Sequence, residues 1–478
     1  MQRKEFLKTA ALGLASIPFA PYSSMGKLAI EKVDVAIIGA GLSGLTAARL
    51  LAKAGKNVSV LEAQDRVGGR TWSQPLGNGS FIDIGGQWIG RGHTSMYELA
   101  EEAGIKTFPT YNDGLNLWKK KGKIKRYKGE TPPMGLFALL SANTNMKRFD
   151  RISASIDPFQ PWLVKNASSM DTVSLGAWLD QEVNNAKARK LIKRIAEGEL
   201  CTSTYEVSLL QALSSAKATG SLKQAESVED GALRDRLEGG AQEICNYLYE
   251  QVQSAVKLNC PVRFVEQTKV GIKLGNPTFH LVAQKVIITA PLPTLKNINF
   301  TPALPVEKRI LINNMKMGTV VKCHAVYDTP FWREEGLSGA SFSLDDVIEL
   351  SVDNSCPGSQ SGILTSLIHA DRAEYLLALN PADRKREVLE AYVERFGKKA
   401  RSPLYYHDYS FSNNPWIGGA YTGFFKKGIF SEYGPYLQKA TNNIHWAGTE
   451  TATFFKGFME GAVLSGKRVA QEILASNQ

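Results

Sequence analysis

The sequence has no apolar run approaching the roughly 18 residues that cross a bilayer as a helix, so no transmembrane anchor is expected. Cysteine is scarce and odd in number: Cys201, Cys245, Cys260, Cys323 and Cys356 leave at least one thiol unpaired. No CxxC or Cys/His spacing accompanies them, which argues against a structural zinc. The six histidines are equally scattered, giving no support to a metal site or a Ser-His-Asp triad. Acidic residues fall short of basic ones, 46 against 57, for a net charge of +11. With no recognition motif beside it, that balance does not point to nucleic acid, and solubility plus an anionic ligand accounts for it. Hydrophobic content of 43% and charged content of 22% are those of a soluble globular protein, and 478 residues suffice for two domains.

What is present is organised around residues 33–72. Residues 33–38, VDVAII, have the composition of a parallel strand buried on both faces. Gly39, Gly41 and Gly44 follow as GxGxxG with Ser43 inside the turn, and residues 45–54 continue with helix formers. Gly39 permits the tight turn, Gly41 lets the backbone approach a pyrophosphate, and Gly44 lets helix pack on strand. Phosphates are expected at the helix N-terminus, where free N–H groups and the dipole favour negative charge. A second strand, residues 58–61, ends at Glu62, placed to hydrogen-bond the adenosine ribose hydroxyls. Strand, helix and acid together read as a dinucleotide-binding unit.

Residues 1–25 differ from the rest. Arg3, Lys4 and Lys8 precede a moderately apolar run over residues 9–20, which reads as an export signal. It resembles the bacterial twin-arginine signal, with Lys4 where that signal has its second arginine, which implies export to the periplasm, with the cytoplasm as the alternative location. Residues 115–127 read as a lysine-rich hairpin turning near Gly122. A solvated hairpin explains its charge better than a membrane or partner patch. Residues 130–235 carry helical patterns over 171–181 and 184–195. Capping-box spacing at Ser203 and Glu206 precedes an apolar run. Strand-like patterns return near 256–258 and 285–290. The expected division is therefore 30–108, 236–300 and 411–478 for the cofactor, with 109–235 and 301–410 for the substrate.

The residues after the ribose acid, Arg66, Gly68, Gly69, Arg70 and Thr71, resemble the signature of flavin-dependent amine oxidases. The segments 81–90, 299–305, 318–322, 417–421, 443–453 and 457–462 are similar to further motifs of that family, nearest the monoamine oxidases. The resemblance implies an α/β fold: a Rossmann-like FAD-binding domain with an interleaved α+β substrate domain. It implies FAD contacts at Gly39, Gly41, Ser43, Gly44, Glu62, Arg66, Gly69, Arg70, Gly86, Val262, Thr449 and Met459. It also puts Lys322 beside a water near the flavin N5, and Tyr421 and Phe458 on either side of the substrate amine. Trp88, Leu200 and Cys201 are the implied remaining pocket wall. Some members hold flavin through a cysteine; Ala420 stands at that position, so FAD is expected to be non-covalent. The chain stops at Asn477 and Gln478 without the C-terminal membrane helix of the mitochondrial enzymes.

The implied reaction is oxidation of an amine to an imine, which hydrolyses to a carbonyl compound, with O2 reduced to H2O2. An L-amino acid oxidase and an amine dehydrogenase using another electron acceptor stay open beside it, as does a non-catalytic flavin-binding protein. A homodimer is allowed as the assembly.

Overall fold

The computed structural model describes residues 31–77 and 79–476; the export signal read at 1–25 lies outside the described residues. The cofactor side is an eight-stranded sheet. Its centre is β1 (Glu31–Ile38), followed by helix α1 (Leu42–Lys53) and β2 (Val58–Leu61). The same sheet takes β3 (Val256–Lys257), β4 (His280–Ile288) and β5 (Ile444–Trp446), all joining in parallel. β1 lies between β2 and β4, which is why its last four residues are buried and apolar. β4 has two neighbours along one edge. Its first part pairs antiparallel with Gly271–Gly275, and its last three residues pair with β5.

A seven-stranded sheet lies elsewhere in the chain order: Tyr405–Tyr409, Val320–Tyr327, Gly362–His369, Leu350–Asp353, Leu337–Ser343, Leu115–Lys120 and Lys123–Tyr127. Val320–Tyr327 and Gly362–His369 are buried along their whole length. The lysine-rich hairpin is its outer edge, turning through Lys121 and Gly122, both at positive φ. Helices fill residues 136–226 and share one apolar core with one face of the cofactor sheet.

Several helix limits differ from the sequence pattern, each for a local reason. The pattern over 171–181 is two helices, because Ser174 accepts a hydrogen bond from the Ala177 N–H and caps the second. Asn185 caps Ala186–Leu200, which runs one turn beyond the pattern. Ser208, not Ser203, caps Leu209–Thr219, accepting from the Gln211 N–H.

Candidate active site

One cavity runs from the GxGxxG turn to the face of the seven-stranded sheet. At its first end the Gly39 N–H donates to the Leu61 carbonyl, and Gly39 turns at φ +103°. A Cβ on Gly44 would stand 2.0 Å from the Gly39 oxygen, so α1 touches the turn only because that side chain is missing. Gly41 caps α1 with no side-chain hydrogen bond and no acid in the first turn, leaving N–H groups and the positive helix end to the cavity. Glu62 is buried and accepts from the Ala40 N–H at 2.7 Å and the Gln64 N–H at 2.9 Å. Burial pushes its carboxyl above the usual range despite those two donors.

Further along, Gly68, Gly69, Arg70, Gly85 and Gly86 line the cavity. The loops there are tightly nested: a side chain at Gly85 would meet the Arg70 carbonyl at 2.0 Å, and one at Gly86 the Met459 sulfur at 3.1 Å. Arg70 is committed on two sides, to Glu450 at 2.5 and 3.0 Å and to the Tyr421 carbonyl at 2.7 Å. Burial alone would raise the Glu450 carboxyl; the Arg70 guanidinium overrides it and holds the group below its usual range. A second long helix, Met459–Ala475, also begins at the cavity with no side-chain cap. Its first-turn acid, Glu460, turns away to accept from the Ser95 and Met96 N–H groups.

Two uncapped helix ends, a buried acid and closely packed glycine loops suit an elongated anionic dinucleotide with a flat head group, which is the chemistry of FAD. Val262 and Thr449 line the same cavity, as do Ser43, Gly39 and Gly41.

At the far end stand Lys322, Trp88, Tyr421 and Phe458. The Lys322 ammonium donates to the Gly85 carbonyl at 3.0 Å and to Gln87 Oε1, and lies 5.3 Å from the Trp88 ring centre. Burial pushes it down to about 7, with Asp83 opposing and Arg236 adding to the shift. Phe458 leans on His93, 5.4 Å between ring centres, and His93 stacks edge-on to Phe455 at 4.8 Å. Burial pushes the His93 imidazole down to about 4, so this support is neutral at physiological pH. The Tyr421 hydroxyl lies 3.1 Å from His369 Nε2.

Four residues fall elsewhere than expected. Leu200 and Cys201 do not line the cavity; both sit in the core at about 1% exposure or less. The helix phase turns Gly198 and Glu199 to the cavity instead, and Cys201 ends the helix at φ +55°. Arg66 lies behind the glycine loop, over the Trp72 ring at 4.6 Å and donating to the Gly69 carbonyl at 2.8 Å. It braces the loop and does not line the cavity. Gly44 likewise acts through packing.

The sequence reading missed His369, Lys456, Gly198 and Glu199, all of which line the cavity. Lys456 lies over Phe425 and Phe430, and burial pushes it down to about 8 against the pull of Glu450. Its place one residue before Gly457 was a usable signal; His369 had none, ending a strand with no local motif.

Residues 42–474 match the sequence model of flavin-containing amine oxidoreductases. The chain is 34% identical over 445 residues to a probable flavin-containing monoamine oxidase A of Dictyostelium discoideum, covering 92% of this chain and 97% of that one. Among solved structures, a putrescine oxidase bound to putrescine superposes with TM-score 0.89 at 33% identity, covering 93% and 99%. A cyclohexylamine oxidase from Brevibacterium oxydans does so with TM-score 0.89 at 30% identity and the same coverage.

Proposed function

The chain belongs to the flavin-containing amine oxidoreductase family and oxidises amines with FAD, and on that premise we propose how its residues divide the work. FAD, when bound, would supply the two-electron chemistry that takes a hydride equivalent from the amine α-carbon and passes it to O2 as H2O2. Glu62 and the uncapped start of α1 would hold the adenosine and pyrophosphate, and Gly69, Arg70, Gly86, Thr449 and Met459, on the same cavity, would hold the redox end. Tyr421 and Phe458 orient the neutral amine between them, so that its α C–H faces the reacting position. Lys322 holds a positive charge at Nζ when protonated, favouring steps in which negative charge develops nearby. The imine then takes up water and splits to a carbonyl compound and ammonia or a smaller amine.

The observation that carries this reading is the joint presence of Lys322, Tyr421 and Phe458 on one cavity with the dinucleotide turn. Mixing the holoenzyme anaerobically with an amine series tests it. Bleaching of the flavin bands is expected, and no bleaching by any amine would refute the reading.

The sheet draws its strands from three separate stretches, which supports the division into 30–108, 236–300 and 411–478 for the cofactor and 109–235 and 301–410 for the substrate. A homodimer is the proposed assembly, to be read from solution mass.

Ala420 offers no thiol at the cavity, so FAD is held without a covalent bond. After acid precipitation the yellow chromophore is expected in the supernatant, whereas a flavin-sized mass increment on the intact chain would contradict it.

Among the described residues no helix is long and apolar enough to cross a membrane. We assign residues 1–25 as a twin-arginine-like export signal on the pattern of Arg3 and Lys4 before an apolar run. Changing both to glutamine is expected to retain the protein in the cytoplasm of a bacterial host; unchanged appearance in the periplasm would exclude this kind of signal.

A further inference from the structure

Behind Tyr421 lies a buried polar cluster that none of the assigned steps uses. His369 is the last residue of Gly362–His369 and the N-cap of the helix Ala370–Ala378. Its Nε2 faces the Tyr421 hydroxyl at 3.1 Å, and its Nδ1 faces Glu349 Oε1 at 2.6 Å. The other Glu349 oxygen meets Arg194 at 2.6 Å and Arg372 at 3.6 Å. Arg194 and Arg372 also reach Glu197, at 2.9 and 3.7 Å. Burial pushes the Glu197 carboxyl up; Arg194 opposes this, and Glu349 and Asp371 add to it. Arg372 is itself fixed by donating to the carbonyls of Asp346 and Leu344.

We propose that His369 is a positioning residue for amine oxidation, holding the hydroxyl of Tyr421 while Glu349 and Arg194 hold the imidazole. The inference rests on the reading of Tyr421 as one wall of the amine site. With Nδ1 against a carboxylate, the ring hydrogen belongs on Nδ1, and the Nε2 lone pair accepts from the tyrosine O–H.

Tyr421 is held at two points, its main-chain carbonyl by Arg70 at 2.7 Å and its ring hydroxyl by His369. Its two side-chain torsions are then fixed before substrate arrives, and orientation of the amine costs less at the reacting moment. The edge-on contact of the rings, 5.9 Å between centres at 74°, keeps the imidazole out of the space beside the tyrosine face.

A cluster that served only to tie the helix Ala186–Leu200 to the sheet would tolerate the same geometry, so the test must read Tyr421. Rapid mixing of holoenzyme with tryptamine under anaerobic conditions gives the limiting rate of flavin reduction and the apparent Kd. His369→Leu is expected to lower the limiting rate about tenfold with Kd changed less than about threefold, the coupling typical of a buried hydrogen-bonded pair. His369→Gln, whose amide oxygen can accept the same hydrogen, is expected to recover most of the rate. In a Tyr421→Phe background His369→Leu is expected to change the rate less than about twofold. A wild-type rate in His369→Leu, or an equal fall in both backgrounds, overturns the proposal. Should the leucine variant fail to hold FAD, Tyr421→Phe alone reads the contact, and an unchanged rate there overturns it equally. Tyr421→Ala separates the two readings. A wild-type rate would remove the amine wall and this inference together, whereas a slowed rate with His369 uncoupled removes only the inference.

Discussion

Replacing Lys322 with methionine is expected to slow flavin turnover on the order of a hundredfold while FAD remains bound, the scale seen when one fixed charge donor is lost from a site. Methionine matches the length and apolar stem of lysine, so the buried space at this position stays filled. What disappears is the ammonium, held between the Gly85 carbonyl and Gln87 and aimed where charge changes. Rapid-mixing rates of the reductive and oxidative halves would locate the loss, and wild-type values in both would show that the lysine is misassigned. Because burial lowers this group to about 7, the wild-type rate should also step near that pH, and the variant should lack the step. Stability carries a matching signature. Between pH 7 and the ordinary lysine value of 10.5 the unfolded chain holds the proton and the folded chain does not. Stability therefore rises with pH in that window. The variant lacks this slope, so its melting temperature relative to wild type is expected to fall from pH 7 to pH 10.

The second large effect is on substrate class. Tryptamine is expected to reduce the flavin at least about a hundredfold faster than tryptophan, because a carboxylate buried without a fixed cation costs several kcal/mol. Among the described residues three cations line the cavity, and each is engaged. Arg70 is bidentate on Glu450, Lys322 is tied to Gly85 and Gln87, and Lys456 lies over two phenylalanine rings beside Glu450. Arg91, three residues on from Trp88 in the cavity wall, is 62% exposed and paired with Asp230 at 2.7 Å. Trp88, on the cavity wall, presents one indole N–H, which has no partner among the described residues. A preference for tryptophan would overturn the assignment to amines, and its loss in Lys456→Met would name the carboxylate partner.

How much of this could be read before the fold was known depends on the range of the interactions. The GxGxxG turn, its acid and the Gly68–Gly69–Arg70 loop lie within one short stretch of chain, and although their contacts reach across it, as Glu62 does to the Ala40 N–H, the sequence carries the motif openly. The seats of Lys322, Tyr421 and Phe458 were legible through flanking motifs. Leu200 and Cys201 were not, because a helix written in residues says which faces differ but not the phase at which it ends. The cluster of His369, Glu349, Arg194, Glu197 and Arg372 was silent for a different reason. Its members come from three regions of the chain and meet only after the seven-stranded sheet has formed. Ser203 shows the limit of local signals as well: its capping spacing is sound, yet Ser208 lies where packing starts the helix.

The bond between Arg70 and Glu450 joins residues 380 positions apart, and β5 enters the sheet beside a strand made long before it. During synthesis this has an ordering effect. A nascent chain that has not yet released residue 444 possesses the adenosine end of the cavity but neither the last strand nor the second helix end. Nor does it have the partner that quiets the Arg70 charge. The cavity is thus completed only after residues 444–475 have left the ribosome, and cofactor capture becomes a step that follows their release.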